Sequence, residues 1–294
     1  MSSAPETLSP GFGALPEAKR EYDRAATVVL PLPYDATTTY RGGARRGPDA
    51  ILCASENLEL FDERLLFEPA DAGIATLVPV EPDARGPQQT IERITTVCEK
   101  PVADGKFLVS LGGEHTVSLG CLKATLDKYP DTSLLIVDAH ADLRDEYQNS
   151  PFSHACVARR ALEICPVEQV GVRSFSRAEH EFMKSNGIRP FVMDVIRSRP
   201  EWASEVVERL GPQVYLSIDL DGLDPSLCPG VGTPEPGGLT WQELLLLIEK
   251  LFESREVVAA DIVECSPLAG QNVTEFLAAK LAYKIMAHRL ATRT

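Results

Sequence analysis

The sequence has no long hydrophobic run: at five residues, none is longer than Leu244 to Ile248, far too short to cross a bilayer. Its first thirty residues also lack the basic start, apolar stretch and small-residue cleavage site of a secretory signal. Both gaps point to a soluble chain at work in the cytoplasm, with no membrane contact. Basic residues are scarce, 29 Lys and Arg against 43 Asp and Glu, for a formal charge of −14 and a pI near 4.9. That balance argues against nucleic acid or anionic lipid as a partner. None of the seven cysteines stands in a CxxC pair, and their odd number suits reduced thiols acting as small apolar fillers rather than a disulfide scaffold or zinc site. Neither a repeat nor a low-complexity linker divides the chain.

What is present is an ordinary globular composition, 44% apolar and 24% charged over 294 residues, enough to bury a large core. Residues 1–294 read as one domain, with residues 1–24, rich in Pro, Gly, Ser and charge, as an extended, exposed N-terminal arm. The negative surplus would draw in cations, so a metal ion or a cationic substrate is the first expectation.

From Thr27 onward short aliphatic runs alternate with amphipathic ones. Strands are expected at 27–30, 107–111, 133–137, 167–172, 214–218 and 257–262. Helices are expected at 90–103, 117–129, 154–165, 177–186, 241–252 and 274–290. Such alternation predicts an α/β fold, a parallel sheet covered by helices on both faces, with ligands gathering at the carboxyl ends of the strands.

The residues directly after those strands carry the chemistry. Gly112-Gly113-Glu114-His115 follows the 107–111 strand, where glycines permit a sharp exit and set an imidazole at the sheet edge. Asp138-Ala139-His140-Ala141-Asp142 follows 133–137, and Asp219-Leu220-Asp221 follows 214–218. Residues two apart in an extended chain point the same way, so carboxylates and imidazoles converge. A single Asp there is commonly only a turn former or helix cap. That DxHxD and DxD both fall directly after apolar strands makes ligation the better reading. Carboxylates so crowded repel one another and raise their own pKa values unless cations are present. Oxygen and imidazole donors without thiolate favour Mn²⁺ or Mg²⁺ over structural zinc, and the excess of Asp able to bridge suggests two ions, with Mn²⁺ the expected occupant.

Together with SHA at 153–155, SIDLDGLDPSLCPGVGTPEPGGLT at 217–240 and DIVECSP at 261–267, these stretches resemble the ureohydrolase family of arginases and agmatinases, in order from about Val28 to the C-terminus. The resemblance implies a three-layer α/β/α fold around a central parallel sheet, of the arginase/deacetylase kind, with two Mn²⁺ per chain. It also implies hydrolysis of a guanidinium group to urea and an amine. By resemblance His115 and Asp142 serve one ion, His140 and Asp221 the other, and Asp138 and Asp219 bridge both. It further implies that Asp142 shuttles a proton, that Glu264 hydrogen-bonds the guanidinium, and that His154 assists proton transfer near the leaving group. Relatives commonly form trimers or hexamers, so a homo-oligomer is expected. The guanidinium carbon is a poor electrophile, which explains the need for two cations able to turn water into a strong nucleophile at neutral pH.

Arginases typically end the loop after DAHAD in a His-Gly pair. Here residues 145–155, beginning Asp145-Glu146-Tyr147, are acidic at the start and lack that pair, as in bacterial and archaeal agmatinases. Agmatine, cleaved to putrescine and urea on a polyamine route, is therefore the expected substrate, with Asp145 and Glu146 as an acidic mouth for a dication. Alternatives are N1-aminopropylagmatine, which would yield spermidine by identical chemistry, guanidinobutyrate, arginine, and a noncatalytic metal-binding role, which the intact ligand set disfavours. The turn-rich run 229–238 is expected to shape the pocket, and the Gly- and Arg-rich segment 41–47, which lacks P-loop spacing, to be a structural loop near its mouth.

Overall fold

The computed structural model describes residues 4–292. Its strands are β1 Thr27–Leu32, β2 Ile74–Thr76, β3 Phe107–Gly112, β4 Thr132–Val137, β5 Val167–Val172, β6 Phe191–Val192, β7 Gln213–Asp219 and β8 Glu256–Val263. They form one sheet in the order β2-β1-β3-β8-β7-β4-β5-β6, with every pairing parallel. Successive side chains in a strand point to opposite faces, so the aliphatic runs feed two cores. Val29, Val109, Leu135 and Leu216 enter one, while Val28, Leu108, Leu134 and Tyr215 enter the other.

The helices are α1 Glu17–Arg20, α2 Gly47–Ser55, α3 Pro87–Ala103, α4 Ser118–Lys128, α5 Val157–Ala161, α6 Arg177–Asn186, α7 Met193–Ser198, α8 Trp202–Glu208, α9 Trp241–Ser254 and α10 Val273–Ala291. Ile91 and Ile94 of α3 with Leu119 and Leu122 of α4 cover one face of the sheet. Leu244 and Ile248 of α9 with Leu281 and Ile285 of α10 cover the other, completing the expected three layers. α6 and α9 start at the expected residues because each has a capping box, Ser176 with Glu179 and Thr240 with Glu243. Among the described residues no helix is long and apolar enough to cross a membrane.

The structure departs from the expectation in several places, among them the helices α1, α2, α7 and α8, which no expected helix covers. β2 and β6, at the two edges of the sheet, span three and two residues and are too short to carry a periodic signal. The helix expected at 154–165 is a 3-10 turn, His154–Cys156, followed by the five residues of α5. Pro166 disfavours a helical Cys165, and β5 begins one residue later. The N-terminal segment, expected as an exposed arm, packs on the body instead, with residues 1–3 outside the described residues. Phe12, Leu15 and Tyr22 are buried, and the Phe12 ring stacks on Tyr283 at 6.4 Å. Five cysteines fill the interior as expected, but Cys53 is exposed and Cys165 half-buried.

The strand register sets the stage for the site. Leu111, Ile262, Ile218 and Val137 lie abreast on β3, β8, β7 and β4. These strands end at this row or one residue past it, so Asp138 and Asp219, next after Val137 and Ile218, emerge side by side.

Candidate metal centre

His115 opens a 3-10 turn, His115–Val117, just beyond β3. Its Nδ1 lies 3.1 Å from Asp138 Oδ2, 3.3 Å from Asp219 Oδ2 and 3.5 Å from Asp142 Oδ2. His140 Nδ1 lies 3.0 Å from Asp221 Oδ2 and 3.6 Å from Asp138 Oδ1. Two groups result, His115 with Asp138 and Asp219, and His140 with Asp138 and Asp221, each with its donor atoms within 4.8 Å of one another. Asp138 belongs to both. Local turns aim these side chains: Asp138 Oδ1 accepts from the His140 N–H at 2.6 Å and Asp219 Oδ1 from the Asp221 N–H at 2.9 Å.

Several observations fit a cation pair here. His115 Nδ1 and Asp138 Oδ2 are buried and have no hydrogen-bond partner, an arrangement that costs free energy unless a cation satisfies both. On the far side of the ring, His115 Nε2 lies 3.0 Å from Ser217 Oγ, and Ser217 donates to Asp261 Oδ1 at 2.7 Å. Tyr215 donates to the other Asp261 oxygen at 2.6 Å. With its hydrogen committed to Asp261, Ser217 can only accept from His115, which keeps a proton on Nε2 and leaves the Nδ1 lone pair for a metal. The donor set, two imidazoles and carboxylate oxygens without thiolate, suits divalent cations of the Mn²⁺ or Mg²⁺ kind.

Electrostatics agree. Burial disfavours charge on His115 and His140, yet the surrounding carboxylates outweigh it, holding His115 well above its usual range and His140 at about 12. Burial, and next the Asp138 charge, push Asp142 up to about 7, and burial with the Asp221 charge raises Asp219. Protons thus do for the bare cluster what cations would do for the loaded one.

Glu264 lies just past β8, and its Oε1 accepts from the His115 N–H at 2.8 Å. Burial, then the Glu114 charge, hold its carboxyl well above the usual range. Glu264 and Asp142 both adopt left-handed backbone, with φ of 65° and 48°, a strained conformation for residues other than glycine that the surroundings must enforce. Gly113 is needed for closeness and not for a turn, because a Cβ there would stand 2.0 Å from the Tyr34 carbonyl oxygen.

These side chains open on a cavity of about 300 Å³, lined also by Thr39, His154 and Thr233. Burial and the His115 and His140 charges lower His154 to about 4, so its ring is neutral. Arg173, just after β5, donates to the carbonyls of Gly171, Asp221, Gly222, Leu223, Glu235 and Pro236 at 2.7–3.3 Å. Asp224 accepts from the Gly237 and Gly238 N–H groups. Together they clamp the 229–238 run onto the turn after β7, and Thr233 brings that run to the cavity wall.

The acidic mouth is a correction. Asp145 pairs with Arg160 at 2.6 Å and, with Glu146, lines a separate neighbouring cavity. Neither residue lines the site's cavity, and the Asp145 charge is already taken up by arginine. Its outer wall is made instead by Tyr147, Phe175 and Arg144, whose guanidinium lies 4.9 Å from the Tyr147 ring centre. Sequence reasoning also missed Thr37, Thr39, Arg173, Ser217 and Asp261. Of these only Asp261 carries a local signal, a carboxylate inside an otherwise apolar strand.

An open parallel sheet with adjoining His/Asp triads at its carboxyl edge defines an α/β metal-binding hydrolase. Residues 25–288 match the Arginase family, and the chain belongs to it. It is 40% identical over 280 residues to the N(1)-aminopropylagmatine ureohydrolase of Synechocystis sp., covering 92% of each chain. It is 35% identical over 256 residues to the agmatinase of Bacillus subtilis, covering 85% of this chain and 87% of the other. The crystal structure of the agmatine ureohydrolase of Thermoplasma volcanium superposes with a TM-score of 0.86 at 33% identity, over 99% of this chain and 96% of that one. The protein is a ureohydrolase of the agmatinase type, a C–N hydrolase acting on linear amidines.

Proposed function

We propose that the chain hydrolyses the guanidinium group of N1-aminopropylagmatine, releasing urea and spermidine, with two Mn²⁺ per chain. The observation that carries this choice is the 40% identity to an aminopropylagmatine ureohydrolase over 92% of the chain, against 35% over 85% for an agmatinase. It moves the longer substrate ahead of agmatine, the first expectation from the motifs. Agmatine is the second reading, favoured by the likeness to the Thermoplasma volcanium agmatine ureohydrolase over nearly the whole chain.

In this reading His115 and Asp142 would hold one ion and His140 and Asp221 the other, with Asp138 and Asp219 supplying further carboxylate oxygens to the pair. When bound, the ions supply the Lewis acidity that makes water nucleophilic at neutral pH. Glu264 accepts charge-assisted hydrogen bonds from the guanidinium and fixes its carbon beside the cluster. Asp142, at the wall of the same cavity, takes the proton from water and passes it on. His154, neutral at the cavity wall, relays a proton toward the departing amine. The same reading has a small cationic guanidine as the only partner besides further copies of the chain, a trimer or hexamer in the cytoplasm.

A urea-release assay with Mn²⁺ on aminopropylagmatine, agmatine, arginine and guanidinobutyrate tests it. The highest kcat/KM is expected for aminopropylagmatine. A higher value for agmatine makes the second reading right, and no urea from any of the four overturns both.

A further inference from the structure

Behind His154 stands a buried carboxylate that the reaction above does not use. Glu114 is wholly buried. Its Oε2 accepts from the Thr37 N–H at 2.6 Å and its Oε1 from the Thr37 hydroxyl at 2.7 Å. The Thr37 oxygen in turn accepts from the His154 backbone N–H at 3.0 Å and lies 3.3 Å from His154 Nδ1. On the other side of the ring, Thr39 Oγ1 is 3.0 Å from Nε2. A hydroxyl has one hydrogen to give. Thr37 spends it on Glu114, so toward the imidazole it can only accept.

We infer that Glu114, acting through Thr37, is a positioning pair that fixes the His154 tautomer, with the proton on Nδ1 and the lone pair of Nε2 presented to Thr39 and the cavity. Ser153 Oγ, 3.2 Å from Nδ1, shares the same proton as a second acceptor. The arrangement repeats the one behind His115, where Asp261 and Ser217 hold the ring through a hydroxyl. A carboxylate that orients an imidazole through an intermediate group sets which nitrogen accepts a proton. The consequence for turnover rests on the reading that His154 relays protons; the tautomer itself does not.

Nitrogen-15 NMR of the full-length chain with labelled histidine, loaded with Mg²⁺ in mildly alkaline solution, reads the tautomer directly. Loss of signals in His154→Gln assigns the ring. The native chain is expected to show the proton on Nδ1. Thr37→Val removes the acceptor and is expected to move the population toward Nε2–H, while Thr37→Ser restores the native pattern. Glu114→Gln provides a second route if Thr37→Val does not fold. Its carboxamide oxygen can still accept from the Thr37 N–H, while its NH₂ donates to the hydroxyl, reversing the relay and placing the proton on Nε2. In the urea assay with Mn²⁺, Thr37→Val should lower kcat about tenfold or more with KM little changed, and Thr37→Ser should recover most of it. A native ring protonated on Nε2, or an unchanged tautomer in both Thr37→Val and Glu114→Gln, overturns the inference. A shifted tautomer with unchanged kcat upholds it and instead removes His154 from the proposed reaction.

Discussion

The His115 N–H donates to Glu264 Oε1 at 2.8 Å, across 149 residues of sequence, while the Glu264 N–H donates back to the Gly113 carbonyl at 2.7 Å. This exchange continues the β3–β8 pairing beyond the last ladder residues. It couples a candidate metal ligand to the candidate guanidinium acceptor, so neither can shift without the other.

Glu264→Gln keeps an oxygen for the His115 N–H but gives up the charge. Charge-assisted hydrogen bonds contribute about 1.5–3 kcal/mol, so kcat/KM for the guanidine is expected to fall by roughly 10- to 100-fold. Urea-release kinetics measure this, and metal analysis should find the ion content unchanged.

Asp219→Asn removes a charge from the carboxylate beside His115. Turnover is expected to drop by about a thousandfold, equivalent to roughly 4 kcal/mol, with fewer ions retained per chain after gel filtration. Full activity with native metal content would take Asp219 out of the cluster.

Arg173→Lys replaces a fork that reaches six carbonyls with a single ammonium. The turn carrying Asp221 should loosen, weakening cation affinity by about 10- to 100-fold. Titration against a competing chelator reads this loss, and excess Mn²⁺ should restore activity at the native KM.

Lys284 is a case of stability alone. Its buried Nζ lies 3.0 Å from the buried Asp62 carboxylate and 2.6 Å from Glu63. Lys284→Met leaves Asp62 buried without its counter-charge, at an expected cost of about 3–5 kcal/mol. Burial raises the Asp62 pKa, but the Leu65 and Arg64 N–H groups and Lys284 outweigh it, and the value lies below the ordinary one. A depressed carboxyl stabilises the fold above its unfolded pKa and loses that contribution as pH falls through its folded one. The difference between native and variant chains should therefore narrow as pH drops below about 4. Urea melts at neutral and acid pH test the sign.

The site was legible in the sequence to an unusual depth for a local reason. Each candidate ligand stands within five residues of a strand end, and the strands announce themselves by aliphatic runs. His115, Asp138, His140, Asp142, Asp219 and Asp221 come together as their placement requires. The acidic mouth failed because Asp145, in the loop after β4, finds Arg160 on α5, a partnership that no spacing reveals. The N-terminal segment failed because the polar, Pro-rich composition around Phe12 hid the anchor that meets Tyr283 on α10.

By itself, then, the sequence determined the parallel sheet, the candidate metal cluster and the family, since each depends on residues adjacent in the chain or on motifs read in order. Tertiary structure alone decided how those candidate side chains are held. Asp261 reaches His115 through Ser217, Glu114 reaches His154 through Thr37, and Arg173 gathers carbonyls from two loops. Those contacts join segments dozens of residues apart, and a hydrogen bond depends on ångström-scale placement that hydrophobic periodicity does not encode.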